Sequence, residues 1–248
     1  MGDRRSTVRQ LIVLTLFVLK AAASAVAFTL TPMTVTISPS GPQSIMTYKV
    51  TNDSTQQIAV AIKALTRTID ETGKETNEPA DSQFLIFPSR VVLQPGASQN
   101  VKLQYKGVTT ISRESAYRVV AEQLPIDFTK STSSGVNIML RYVAALYVAP
   151  AKVNVKLVLA TAVGAVKNGK NGIEITLKNE GNRHALLYNT LIRITQSSGS
   201  PPLEISGEPL SEIEGQNILA LSTRKFFVPW EPAVMGATYE GAFSAEFE

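Results

Sequence analysis

One stretch limits what this chain can fold into more than any other. Residues 135–150 read GVNIMLRYVAALYVAP. Val136, Ile138, Leu140 and Tyr142 alternate with Asn137, Met139 and Arg141, so a strand here has one apolar face and one mixed face. From Val143 to Ala149 the run is apolar on both faces. As one strand it would extend ~50 Å at about 3.3 Å per residue, far beyond the usual five or six residues. A small sheet cannot pair with all of it. Either the segment is a helix, or part of a long strand waits for another chain. The flanking Gly135 and Pro150, and β-like neighbours on both sides, favour the strand.

Those neighbours predict an all-β chain. FTLTPMTVTI, SIMTYKVT, QIAVAIKALTRTI, QFLIF, RVVLQ and NVKLQY are short, rich in β-branched residues and roughly alternating. In NVKLQY the pattern is clean: Val101, Leu103 and Tyr105 face one way, Lys102 and Gln104 the other. Turn residues separate the runs at Asn52-Asp53-Ser54, around Gly73 and at Pro95-Gly96, where proline presets φ and glycine accepts the positive φ of a type II turn. SAYRVVAEQLP adds a strand that Pro125 ends, and 126–134 is polar and loop-like. After Pro150 the pattern restarts with KVNVKLVLA, GIEITLKN, ALLYNTLIRI, RKFFVPW and TYEGAFSAEF. Two consecutive β-sandwiches of ~120 and ~100 residues are expected, over 28–150 and 151–248.

Residues 1–27 read as a signal peptide. Arg4, Arg5 and Arg9 precede the apolar core LIVLTLFVL, and Ala25-Val26-Ala27 offers a small-x-small cleavage site before Phe28. Nine apolar residues are too few for a permanent anchor, so export without stable membrane insertion is expected. The cut alters the charge. The chain carries 24 Lys+Arg and 20 Asp+Glu. Removing the four basic and one acidic residues of the leader leaves 20 and 19, a net +1. The basic character lies mostly in the leader, and no basic stripe points to nucleic acid.

The sequence holds no cysteine, which excludes thiol catalysis, thiolate metal sites and disulfide staples. His184, the one histidine, lies in the turn NEGNRH without a second histidine to share a metal, and reads as a solvated turn residue. The acidic residues of DETGKE and EISGEPLSEIEG lack the dense, fixed spacing of calcium loops and read as hairpin tips. Ser211 and Ser222 have no nucleophile elbow, and no glycine-rich phosphate loop follows a strand. Nothing indicates an enzyme or a cofactor.

Three stretches together resemble the periplasmic pilus-assembly chaperones of the chaperone–usher pathway: FPSRVVLQPGASQNVKLQY (87–105), SAYRVVAEQLP (115–125) and NIMLRYVAALYVAP (137–150). Pro88, Leu93, Pro95, Gly96, Glu122, Pro125 and Pro150 carry the likeness, with weaker support from NEGNRHA and LSTRKFFVPW. The resemblance implies two immunoglobulin-like sandwiches in the periplasm and no cofactor. It implies partners too: pilus or fimbrial subunits, which receive a strand, and an outer-membrane usher, to which they are delivered. The same exposed edge allows the free protein to cap itself as a dimer. The lent strand would be the one carrying Val136, Ile138, Leu140 and Tyr142.

The best-known branch grips the subunit's terminal carboxylate with a basic pair, an arginine on the first strand and a lysine on the long strand. Those positions fall here on Thr34 and Ala145, so the chain is similar instead to the archaic or alternative branch, and Arg90 is the candidate anchor with Arg141 second. Two rivals from other classes remain at this stage. A pilus subunit or surface adhesin would use FTLTPMTVTI as its own donor strand, although the second sandwich counts against it. A secreted carbohydrate-binding module would need exposed aromatics, and Trp230 alone offers little stacking surface.

Overall fold

The computed structural model describes residues 28–125, 139–195 and 202–247. Val136 and Ile138 lie outside them. Among the described residues the regular structure is strand, with two short 3-10 turns at Pro42–Ser44 and Glu208–Leu210 and no α-helix.

The first half is built from β1 (Phe28–Thr31), β2 (Thr34–Ile37), β3 (Ile45–Asn52), β4 (Ile58–Thr66), β5 (Thr68–Ile69), β6 (Glu75–Thr76), β7 (Phe84–Phe87), β8 (Arg90–Leu93), β9 (Ser98–Tyr105), β10 (Ser115–Gln123) and β11 (Arg141–Val148). One sheet has the order β1-β3-β9-β7 and the other β2-β11-β10-β4-β8, while β5 and β6 form a separate small hairpin. The facing rows are the alternate apolar residues: Val101, Leu103 and Tyr105 of β9 meet Val60, Ile62 and Ala64 of β4 and Val119 and Ala121 of β10 in one core. Such pairing of alternate rows makes a sandwich.

The second half follows with β12 (Leu157–Lys167), β13 (Lys170–Asn179), β14 (Ala185–Thr195), β15 (Leu203–Ser206), β16 (Asn217–Ile218), β17 (Thr223–Pro229) and β18 (Glu240–Phe247). Its sheets are β12-β13-β17 and a second group in which β14 pairs with β15, β16 and β18. Ile173, Ile175, Leu177, Leu187, Ile192 and Ile194 fill a separate core. Trp230 packs against that core and meets Tyr239 edge-on, with ring centroids 5.8 Å apart.

Each sandwich uses one buried asparagine as a staple. Asn52 sends Nδ2 to the carbonyls of Gln56, Leu93 and Gln94, and its Oδ1 accepts from Ser54 N. Asn179 repeats the device with the carbonyls of Arg183, Ile218 and Leu219, and accepts from Gly181 N. The first staple locks the Pro95-Gly96 turn, where Ala97 N donates to Gln94 O at 3.0 Å and Gly96 has φ +73°. That conformation is the expected type II turn.

A polar joint connects the sandwiches. The His184 ring lies parallel to that of Tyr147, 3.8 Å between centroids and 8° between planes, and its Nδ1 is 2.6 Å from Glu114 Oε1. The Tyr147 hydroxyl accepts from Arg67 Nη1 at 3.0 Å and from Asn217 Nδ2 at 2.8 Å. His184 is therefore not the solvated turn residue expected from its sequence. It is 6% exposed, because the turn that carries it is pressed against the first sandwich.

Candidate functional site

Strand β11 has unequal edges. Along one it pairs antiparallel with β10 through all eight of its residues, from Arg141↔Glu122 to Val148↔Ser115. Along the other it pairs in parallel with β2, and only from Ala145↔Thr34 to Val148↔Ile37. The asymmetry originates in the first strand of the chain. β1 belongs to the opposite sheet, pairing with β3, and the chain then crosses at Pro32-Met33 to run as β2 beside β11. Ala145 N donates to Met33 O at 2.8 Å as the first rung of that ladder. N–H directions alternate along a strand, so the amides of Val143 and Arg141 face the same side as that of Ala145. No strand among the described residues pairs there.

The inward row of β11 grades from buried to open. Val148, Leu146 and Ala144 are fully buried, whereas Tyr142 and Leu140 are half-buried and packed against the rim of the core. Tyr142 meets Phe28 edge-on, ring centroids 4.9 Å apart. Leu140 O accepts from Gln123 N at 3.0 Å, so pairing to β10 continues one residue beyond β11. Of the four strand residues singled out from sequence, Leu140 and Tyr142 thus share one row at the open end, and Val136 and Ile138 precede the described part.

The outer face of the same sheet carries the charges. Arg141 lies opposite Glu122, Glu122 opposite Ala61, and Ala61 opposite Arg90, so the two candidate arginines occupy one cross-strand row. Three strand steps separate them, ~14 Å at about 4.8 Å per step. Between them Glu122 takes an ion pair from Lys63 at 2.8 Å and a longer one from Arg141 at 3.9 Å. Glu122 therefore pairs with two cations, and a third, Arg90, lies two strand steps from it in the same row.

Thr34 and Ala145 are direct partners across the β2–β11 ladder. The residue opposite Ala145 on its other side is Arg118, whose place there depends on strand register and is not marked by the residues Glu122 and Pro125 that distinguish SAYRVVAEQLP. Arg118 grips Glu75 in a fork, Nε to Oε1 at 2.8 Å and Nη2 to Oε2 at 2.6 Å, and Arg67 Nε adds a third bond at 2.9 Å. Burial opposes ionisation of Glu75. The two guanidinium groups outweigh it and hold the carboxyl at about 2.

A family model for pili and flagellar-assembly chaperones, PapD N-terminal domain, matches residues 27–154, just over half of the chain. The chain belongs to this chaperone family. Its two immunoglobulin-like sandwiches agree with solved structures of fimbrial chaperones. A chain of the chaperone–tip adhesin complex of CFA/I fimbriae biogenesis aligns with TM-score 0.57 and 18% identity, over 87% of this chain and 98% of that one. The class 5 fimbriae chaperone CfaA gives 0.55 and 19%, over 87% and 98%. A chain of the CsuC–CsuE chaperone–tip adhesion subunit pre-assembly complex, from the archaic chaperone–usher Csu pili of Acinetobacter baumannii, gives 0.52 and 16%, over 81% and 89%. At such identities the likeness is one of fold. No curated protein matches the chain by sequence.

Proposed function

We propose that this protein is a periplasmic chaperone that binds pilus subunits by lending them β11 and the apolar run before it, and hands them to an outer-membrane usher. The observation that carries this reading is the half-paired strand, satisfied along β10 and, among the described residues, without a partner strand at Arg141–Ala144 on the other edge. A subunit strand added there would bond to the backbone, while Val136, Ile138, Leu140 and Tyr142 fix its register through their period of two. Burying each such side chain contributes roughly 1.5–3 kcal/mol in gross terms. Association costs on the order of 4–15 kcal/mol against that, which suits a complex that must later release its cargo.

Export fits the start of the fold. Phe28, the first residue after the proposed cleavage site, begins β1 and is buried against Tyr142. No helix among the described residues is long and apolar enough to cross a membrane. For the subunit's terminal carboxylate we assign the row of Arg90 and Arg141, whose net positive charge and bidentate geometry suit a carboxylate. Thr34 and Ala145 carry no charge for that task, which supports placing the chain in the archaic or alternative branch.

The test is co-purification of a pilus subunit from the periplasm with the wild type and with the double variant Ile138→Asp and Leu140→Asp. The proposal expects the subunit to be lost while the variant remains folded, with a modest stability decrease from half-buried Leu140. Retention of the subunit by a folded double variant would contradict it.

A further inference from the structure

We infer that the β5–β6 hairpin is an interdomain strap, fastened firmly to the first sandwich and weakly to the second, whose release lets the cleft between the sandwiches open. The inference does not rest on subunit capture.

The firm end is the Glu75 carboxylate, held by the Arg118 fork and by Arg67 against the outer face of the first sandwich. Charge-assisted bonds of this fork geometry are among the stronger polar contacts available to a protein. The hairpin itself is stiff. Asp70 Oδ1 accepts from Thr72 N, Thr72 Oγ1 and Lys74 N, and Asp70 O accepts from Gly73 N. A stiff arm with a fixed base carries its tip to a defined place.

That place is the free edge of β17, the outermost strand of its sheet. There Glu71 O accepts from Lys225 N at 2.7 Å, and Glu71 Oε1 pairs with Lys225 Nζ at 2.9 Å. Gly73, at φ +96°, lies so close to Arg224 that a Cβ there would come within 2.5 Å of its Nη2. The strap tip is thus fitted to the second sandwich, yet among the described residues its direct bonds there are one backbone bond and one ion pair, with the Asp70 carboxylate adding a longer-range attraction to Arg224. Both members of the ion pair are largely exposed, at 41% and 53%. Exposed pairs of this kind are weak and screened by salt.

The rest of the joint is polar as well. Glu114, His184, Asn182, Tyr147, Arg67 and Asn217 make its bonds, and the two apolar cores remain separate. Among the described residues, Glu114 Oε2, Asn217 Oδ1 and Arg224 Nε are buried there with no protein hydrogen-bond partner. Polar interfaces between domains permit relative motion, unlike large apolar ones. The strap therefore lets go first, and the Tyr147–His184 stack, beside the covalent link at 149–156, acts as the pivot.

The absence of cysteine gives a clean test. Nitroxide labels on Lys49→Cys in β3 and Lys170→Cys in β13, both exposed, report the distance between the sandwiches. In the full exported chain at low salt, one narrow distance is expected. Glu71→Lys places two cations at the strap tip, and the distribution should gain a second, longer component. Combining it with Lys225→Glu restores the opposite charges and should narrow the distribution again. Raising salt to about 1 M, where the Debye length is about 3 Å, should mimic Glu71→Lys in the wild type. An unchanged distribution in Glu71→Lys overturns the inference, as does a second component that the reversed pair fails to remove.

Discussion

Tyr147 and His184 lie ring on ring across the boundary between the two sandwiches, and the tyrosine hydroxyl collects two donors, Arg67 and Asn217, from opposite sides of that boundary. One side chain at the end of β11 thus links the two sandwiches. Tyr147→Phe keeps the stack and leaves both donors without their acceptor. We expect a loss of about 1–3 kcal/mol, read as a lower urea midpoint at unchanged slope.

Glu75 makes part of the stability depend on acid. Its folded value of about 2 lies below the ordinary 4.5, so the carboxylate favours the folded state. The contribution is fully present above about pH 4.5 and is lost as the pH falls from there towards about 2. Partial exposure reduces it, to on the order of 2 kcal/mol. Glu75→Gln should flatten the acid limb of stability measured between those pH values. An unaltered limb would show that Arg67 and Arg118 do not depress this group.

The two asparagine staples predict separable damage. Asn52→Ala leaves the carbonyls of Gln56, Leu93 and Gln94 without their donor inside the first sandwich, at about 2–4 kcal/mol. Asn179→Ala does the same in the second. Hydrogen exchange should report each loss mainly in the sandwich that carries it, because the two cores are distinct. Equal loosening of both halves by either variant would mean that they unfold as one unit.

Arg90→Ala and Arg141→Ala address the charged row. Both side chains are exposed, so each variant should unfold within about 0.5 kcal/mol of the wild type. Complexes with a subunit should weaken on loss of either arginine and more on loss of both, read as yield of co-purified subunit. Undiminished yield from the double variant would move the carboxylate elsewhere, with Arg118 beside Ala145 the next residue to examine.

Much of this architecture could be read from the chain before any coordinates. Alternation in NVKLQY assigned Val101, Leu103 and Tyr105 to the core, because a period of two has one inward row whatever the partner strand. The turn at Pro95-Gly96 followed from the φ each residue permits. His184 departs from the solvated turn residue expected for it, for the opposite reason. Its burial comes from Tyr147 and Glu114, 37 and 70 positions away, and a turn sequence contains no sign of what will press against it. The row joining Arg90 to Arg141 was equally hidden, since it depends on the register of four strands. Glu75 shows the same limit: a hairpin residue by pattern, it is held by two arginines that tertiary structure alone brings near.

We propose that the outer edge of β11 is open until a subunit strand fills it, and amide exchange at single residues tests this most directly. In the free protein the amides of Arg141 and Val143 should exchange fast, while that of Ala145, bonded to Met33 O, is protected. Mixing with a pilus subunit that co-purifies should slow Arg141 and Val143 by at least about tenfold and leave the amides that face β10 unchanged. Equal exchange at Arg141 and Val143 with and without a bound subunit would contradict the account.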